Sequence, residues 1–361
     1  MRIQFHSYFD IPYNSICNLS AQWVLQLANA GFDIKVNDYS GHEEPRFEEV
    51  IPFLGIHNPP APVGIYIGYP SHIKTIGNLI ANNLFRIGVF TTETNLAGEQ
   101  VDFLSPHNCP YGLICVPSAY CKTIFSRTNP CGITIINHGL DEFMQPILVD
   151  KKEKFTFLFV FSNSPSGGTT ERKGLDELID AFKIVRKSHD VNLLIKTSGN
   201  IDRNTVKLES KNEGLSFDMR LKSRQELAEL YNSCHVYVNT SRAEGFGITP
   251  LEAMACGMPI VSPIHSGLTE YLNPSNCVQV ECEKSKHRFH YATNNGPIWD
   301  IKPKDISRAM IEAHDRYLFY SKNAIDYSEY IRERFSWKNV IAPLVDWLNK
   351  LNVPDTWRGG R

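Results

Sequence analysis

Short apolar runs alternate with amphipathic stretches through the first part of the chain. Residues 2–8 read as a buried strand, and Leu19 to Ala30 as an amphipathic helix carrying Leu19, Trp23, Leu25, Leu27 and Ala28, with Gly31 as its C-cap. Asp33-Ile34-Lys35-Val36 begins another strand. Val63 to Gly68 and Arg86 to Phe90 are further apolar runs, with a helix expected between them over His72 to Leu84. Gly112 to Ser118 and Ile133 to Ile136 flank a helix over Tyr120 to Phe125. Residues 40–60 are polar and Pro-rich and show no period.

The pattern then restarts. Phe155 to Phe161 is a strong strand, and a Ser/Gly/Thr-rich loop, Ser162 to Thr170, follows it. Leu175, Leu178, Ile179, Phe182 and Val185 mark one face of a helix. Val191 to Lys196 reads as a strand, Gln225 to Asn232 as a helix, and His235 to Asn239 as a strand. A short helix at Pro250 to Cys256 leads into the strand Pro259-Ile260-Val261. Cys277 to Pro297 is irregular, Pro303 to Arg334 is helical, and Trp337 to Leu351 forms the last helix. Such strand–helix alternation predicts parallel sheets covered on both faces. The seam lies near Phe143 to Glu153. This gives domains at 1–148 and 149–330, and a segment 331–361 whose helix is placed to cross back to the first domain.

The length of 361 residues suits two domains. Apolar residues at 42% and charged residues at 21% exclude wholesale disorder. Thirty-seven Lys and Arg against 39 Asp and Glu leave a net charge of −2, so no global field favours nucleic acid or an acidic membrane. No stretch is long and apolar enough for a membrane span, although peripheral membrane contact stays open. Met1-Arg2-Ile3-Gln4-Phe5-His6 reads as a strand and not as a signal peptide. Nine cysteines show no C-x-x-C pair and no metal-ligand spacing. The expectation is buried thiols in a reducing, cytoplasmic compartment.

The most informative segment is Glu244-Gly245-Phe246-Gly247-Ile248-Thr249-Pro250-Leu251-Glu252, which joins a strand to a helix. Its glycines permit close backbone approach, and free N–H groups at the helix start favour an anion. Glu244 and Glu252 are placed to face a ligand at the C-terminal edge of the sheet. A structural alternative exists for Glu252. Thr249 at N-cap, Pro250 at N1 and Glu252 at N3 would form a capping box. The second segment is Gly167-Gly168-Thr169-Thr170-Glu171-Arg172-Lys173-Gly174, at the start of a predicted helix. Cations there oppose the helix dipole, and a polyanionic ligand would supply the reason. The alternative is a pair of solvated basic side chains.

Together the two segments resemble the retaining glycosyltransferases of family 4. The resemblance covers about residues 155–275. It rests on Arg172-Lys173-Gly174-Leu175, on Glu226-Leu227 to Tyr231, on His235–Asn239, and above all on Glu244-Gly245-Phe246-Gly247 through Glu252-Ala253-Met254-Ala255-Cys256-Gly257-Met258-Pro259. Val116-Pro117-Ser118 and Asn137-His138-Gly139-Leu140-Asp141 are more loosely similar. One departure lies after the first strand, where the family often carries paired glycines and this chain has Pro12-Tyr13-Asn14-Ser15.

The resemblance implies the GT-B fold, two Rossmann-like α/β/α domains facing each other across a cleft. It implies a nucleotide-diphosphate sugar as donor, of the UDP-, GDP- or ADP- class, and a hydroxyl acceptor. Arg172 and Lys173 would hold the diphosphate. Gly245, Phe246, Gly247, Ile248, Thr249 and Leu251 would line the donor, the backbone at Gly247 to Thr249 and Leu251 cradling its phosphates. Glu252 would bind the ribose and Glu244 the transferred sugar. Thr91, Thr92 or Glu93 would approach that sugar from the first domain, while His138 reads as a turn or packing residue. The family transfers with retention, the leaving phosphate taking the acceptor proton on the same face. No Asp-x-Asp motif is present, in keeping with the family's independence of a metal, and no cofactor is implied. Two other readings share the fold: a sugar-nucleotide epimerase, and a non-catalytic nucleotide-sugar-binding module.

Overall fold

The computed structural model describes residues 1–9, 15–39, 47–68, 82–93, 109–127, 131–162, 169–198, 212–285 and 298–357. Most of the helix expected at His72 to Leu84 lies outside the described residues. So do Pro12, Tyr13, Asn14, Gly167, Gly168 and the second half of the Cys277 to Pro297 excursion. The chain divides into two compact units. The first takes in Met1–Thr92, most of the chain on to Gly139, and Trp337–Arg361. The second takes in Leu140–Ser336 together with Glu93.

The first unit contains six parallel strands: β1 (Arg2–Ser7), β2 (Asp33–Asp38), β3 (Val63–Ile67), β4 (Phe85–Val89), β5 (Leu113–Val116) and β6 (Gly132–Ile135). Their order is β2-β1-β3-β4-β5-β6. Alternation explains why β3 is apolar throughout. Val63, Ile65 and Ile67 enter one core, while Tyr66 enters another on the opposite face. Helix α1 (Ser15–Asn29) contributes Trp23, Val24 and Leu27 to the first core. Helix α2 (Ala119–Phe125) is capped by Ser118, whose hydroxyl accepts the Cys121 N–H at 3.1 Å. The same core receives Ile341, Leu344 and Leu348, one face of the terminal helix Trp337–Asn349, which packs on α1. Burying each of those side chains stabilises by about 1.5–3 kcal/mol.

The second unit repeats the plan. Its strands are β7 (Thr156–Ser162), β8 (Asn192–Ser198), β9 (Leu215–Asp218), β10 (Val236–Val238), β11 (Ile260–Ser262) and β12 (Val278–Gln279), parallel in the order β12-β11-β10-β7-β8-β9. A separate hairpin pairs β13 (Cys282–Lys284) with β14 (Trp299–Ile301). Strand β9, a four-residue edge of mixed polarity, has too little pattern to be read from sequence. The helices are α3 (Thr169–Lys173), α4 (Leu175–Val185), α5 (Arg224–Ser233), α6 (Ile248–Ala255), α7 (Pro303–Asp315), α8 (Tyr317–Arg334) and, in the first unit, α9 (Trp337–Asn349). Phe157, Phe159 and Phe161 of β7 meet Leu178, Phe182 and Val185 of α4 and Ile306 and Met310 of α7 in one core. Serine 223 and Glu226 close a capping box at the start of α5, which fixes where that helix begins.

Strand order decides where a site can form. From β7 the chain moves outward through β8 and β9, then returns to β10 on the other side of β7 and moves outward through β11 and β12. The connections leaving the carboxyl ends of β7 and β10 therefore diverge, and a crevice opens at such a switch point. The first of these connections contains Arg172 and Lys173, and the second contains Glu244.

Candidate functional site

Two turns bring the cations and the carboxylate together. Arg172 and Lys173 do not occupy the first turn of the long helix, as their sequence position predicts. They close the short α3, and Gly174, at φ +66, breaks the chain before α4 starts at Leu175. A cation at a helix C-terminus agrees with the dipole, so their local placement is unstrained. Gly174 is required there. A Cβ would also collide with the Thr240 carbonyl oxygen, and the Thr240 hydroxyl donates back to the Lys173 carbonyl at 2.8 Å. The Arg242 N–H donates to the Arg172 carbonyl at 2.7 Å, so the two connections are stitched by their backbones.

Glu244 is the focus of this arrangement. Lys173 Nζ donates to Oε1, and Arg172 Nη1 lies 3.5 Å from Oε2 while also donating to the Ala243 carbonyl at 2.9 Å. The Glu244 side chain is 8% exposed and both cationic side chains are 13% exposed. Burial alone pushes the carboxyl up, but Lys173 and then Arg172 outweigh it and hold the pKa at about 2. Burial pushes the Lys173 ammonium down, and Arg172 adds to that push while Glu244 opposes it. Glu93, which clusters with this unit, stands 3.6 Å from Arg172 Nη2.

The backbone under Glu244 is held by residues that the sequence did not single out. Its N–H donates to Ser266 Oγ at 3.1 Å, and its carbonyl accepts the Gly267 N–H at 2.9 Å. His265 lies 2.9 Å from the Ser266 hydroxyl through Nδ1 and 2.9 Å from the Ser241 carbonyl through Nε2. A carbonyl only accepts, so Nε2 carries the proton and Nδ1 accepts from Ser266. The His265 ring stacks on Trp299 with centroids 4.4 Å apart, and burial lowers its pKa to about 4. A neutral imidazole thus fixes the serine that fixes Glu244.

The expected capping box at Thr249 does not form. Helix α6 begins two residues earlier, its N-cap is Gly247 at φ +84, and no side chain caps it. Thr249 Oγ1 instead accepts the Tyr237 hydroxyl at 2.8 Å. A left-handed glycine cap wins because a Cβ at Gly247 would stand 2.7 Å from Leu268 Cδ2 and 2.9 Å from the Tyr271 hydroxyl, which donates to the Gly247 carbonyl. Glu252, freed from capping, is 2% exposed in its side chain and binds elsewhere. Its Oε1 accepts from Arg224 Nη2 at 2.7 Å and its Oε2 from the Tyr231 hydroxyl at 2.9 Å. Arg224 reaches Asp141 with its Nε. Burial opposes the Arg224 charge, but Glu252 and Asp141 raise its pKa above the usual value.

Arg172, Lys173, Glu244 and Glu93 thus form one cluster, and Glu252 forms a second with Arg224 and Tyr231. Buried Tyr237 and Tyr271 feel both carboxylates, which push their hydroxyls' pKa values up beyond what burial does. Between the clusters run Gly245, Phe246, Gly247 and the start of α6 at Ile248, Thr249 and Leu251. Phe246 is buried against Tyr271 and Phe335, which makes its side chain a packing group. In the first unit, His138 lines a small cavity with Ile16, Trp23, Phe90, Thr91 and Pro117, and burial lowers its pKa to about 4. Thr92 is buried, and its carbonyl accepts the Cys121 thiol at 3.3 Å. Chemically, two cations beside a helix N-terminus suit a polyanion, and buried carboxylates suit hydroxyl groups.

Comparison with known proteins finds relatives of the segment that holds this site. Residues 147–290 match the family described as Glycosyl transferases group 1. An uncharacterized glycosyltransferase of Methanocaldococcus jannaschii is 30% identical over 159 residues, which is 44% of this chain and 41% of that protein. The chain thus matches less than half the length of that curated relative. Sucrose-phosphate synthase from Thermosynechococcus elongatus superposes with a TM-score of 0.69 at 14% identity, over 97% of this chain and 98% of that one. The HepE protein of Anabaena, solved with UDP and glucose, superposes with a TM-score of 0.68 at 14% identity, over 97% of this chain and 100% of that one. The chain therefore has the GT-B fold, and its residues 147–290 match the Glycosyl transferases group 1 family.

Proposed function

We propose that this chain is a retaining glycosyltransferase that moves a sugar from a nucleoside-diphosphate sugar to a hydroxyl acceptor. One observation carries the reading: a buried, ionised Glu244 is clasped by Lys173 and Arg172 at the switch point of the second sheet, beside the start of α6. The Anabaena protein of the same fold was solved with UDP and glucose, which supports a nucleotide-sugar donor.

In this reading the bond between the anomeric carbon and the diphosphate breaks, and charge grows on the leaving oxygen. Lys173, Arg172 and the first N–H groups of α6 stabilise that charge from fixed positions. The acceptor hydroxyl attacks on the face the diphosphate leaves, and its proton passes to a phosphate oxygen. Glu244 binds hydroxyls of the transferred sugar, and its negative charge faces the electron-poor ring of the transition state. Glu252 accepts from the ribose hydroxyls. Both its oxygens are already engaged, but a carboxylate offers about four lone-pair sites, so two remain. Glu93 approaches the sugar from the side of Arg172, and Gly245 to Leu251 follow the phosphates. The transfer step uses these side chains and no resident metal.

The test is a thermal-shift screen with UDP-, GDP- and ADP-sugars, followed by transfer to an acceptor panel and NMR of the anomeric proton. One nucleotide class raises the melting temperature. The glycoside formed keeps the donor's anomeric configuration. Inversion would remove the retaining mechanism. An epimerised sugar nucleotide without any glycoside would move the chain to the epimerase reading.

A further inference from the structure

At the end of the second sheet remote from Glu244, His189, His314 and Asp315 converge. His189 lies in the connection from α4 to β8, and His314 and Asp315 are the last residues of α7, which packs along α4. His189 Nε2 is 3.1 Å from Asp315 Oδ1, and His314 Nδ1 is 2.9 Å from the same oxygen. The three donor atoms lie within 4.8 Å of one another. The two imidazole rings meet edge to face with centroids 4.7 Å apart, and Phe155, just before β7, packs its ring 4.6 Å from His314.

The geometry behind the cluster is ordered. The Ser188 hydroxyl stands 2.7 Å from His189 Nδ1 and 3.4 Å from the Val185 carbonyl, so the far side of the His189 ring is held by a hydrogen bond. Both imidazoles turn their other contact to the same carboxylate oxygen of Asp315. Metal–nitrogen and metal–oxygen bonds of about 2.0–2.2 Å at a tetrahedral centre put neighbouring ligand atoms roughly 3.3–3.6 Å apart, and the two nitrogen–oxygen spacings here, 3.1 and 2.9 Å, need to open by only a few tenths of an ångström to reach it.

We propose that His189, His314 and Asp315 bind a divalent transition-metal ion of the zinc class, with Ser188 orienting the His189 ring behind it. Two imidazoles and one carboxylate favour zinc, cobalt, nickel or copper over magnesium or calcium, which prefer oxygen ligands throughout. A partner on the far ring nitrogen is the usual companion of a metal-bound histidine. The side chains are 18%, 29% and 54% exposed, so the fourth position opens to water. The ion would tie the α4–β8 connection to the end of α7. Its role is to stabilise the unit from the side away from Glu244, and it stands independently of the transfer chemistry.

The experiment uses tag-free, EDTA-dialysed full chain with Zn²⁺ or Mg²⁺, read by thermal shift, and Cu²⁺, read by electron paramagnetic resonance. The thiols of Cys109 and Cys131, 3.5 Å apart, are a competing zinc ligand set, so C109S/C131S is the reference protein. Zn²⁺ in excess should raise its melting temperature by about 3 °C or more, and Mg²⁺ should not. H189Q/H314Q in that background should lose the zinc shift while keeping its metal-free melting temperature within a few degrees. The Cu²⁺ spectrum of the reference protein should show coupling to two imidazole nitrogens, and this arm holds even if the variant fails to fold. A zinc shift that persists in H189Q/H314Q, no shift in C109S/C131S, or a copper spectrum without two nitrogens would each overturn the proposal.

Discussion

Lys173 and Glu244 meet as a buried ion pair although 71 residues of chain separate them. Neither charge has bulk water to fall back on, so each depends on the other. Removing only the ammonium leaves a carboxylate in a dry site with Arg172 as the neighbouring cation at 3.5 Å. K173A should lose about 3 kcal/mol of stability and transfer at least tenfold more slowly. The double variant K173M/E244Q should be more stable than K173A alone, because both charges are gone. Urea denaturation and a transfer assay check both statements. Equal stability of K173A and wild type would mean that the pair is solvated.

The same pair sets a pH dependence. The Glu244 pKa falls from 4.5 to about 2 on folding. A depressed carboxyl contributes stability that is complete above the unfolded pKa and disappears as pH falls through the folded one. Between pH 4.5 and 2 the wild type should therefore lose on the order of 3 kcal/mol that E244Q does not. Denaturant midpoints of the two proteins, taken across that range, should converge toward the acid end. Parallel curves would show that Glu244 is not ionised against its neighbours.

Glu252 should report on nucleotide binding apart from chemistry. Its oxygens are oriented by Arg224 and Tyr231. Y231F removes one hydrogen bond to a buried charge, worth about 1.5–3 kcal/mol in that setting. It should weaken nucleotide affinity about tenfold. E252A should weaken it further, with the anomeric outcome of any residual transfer unchanged. Isothermal titration with the nucleoside diphosphate alone separates this from an effect on the sugar. Unaltered affinity in E252A would exclude the ribose role.

Gly174 tests whether the backbone turn, and not only the charges it presents, is needed. At φ +66 with the Thr240 carbonyl against the Cβ position, G174A should lose about 2 kcal/mol or more. It should also displace Lys173 and slow transfer, even though no charged group has changed. A fully active G174A of normal stability would show that the turn tolerates a side chain and that the cations are positioned by other means.

The amino-acid sequence alone determined the class of this fold. Runs such as Val63 to Ile67 and Phe155 to Phe161 are apolar on both faces, and each is followed by an amphipathic stretch. Only buried parallel strands under helices satisfy both periods at once. The sequence also marked Glu244 and Glu252, because glycines and a helix start beside acidic residues form a local pattern. What it could not supply was partners distant along the chain. Locally, Thr249 to Glu252 is an acceptable capping box, and Arg172 with Lys173 looks like a breach of the dipole rule. Tertiary structure reversed both. Tyr271 and Leu268 hold Gly247 as the cap, Arg224 and Tyr231 claim Glu252, and the turn at Gly174 delivers the cations to Glu244. His265 and Ser266 were invisible for the same reason, as was the meeting of His189 with Asp315 across 126 residues. Periodicity is written into neighbouring residues and follows from burial alone. The partner of a buried charge is chosen by strand order and by which loops share a sheet edge, so it exists only once the chain has folded.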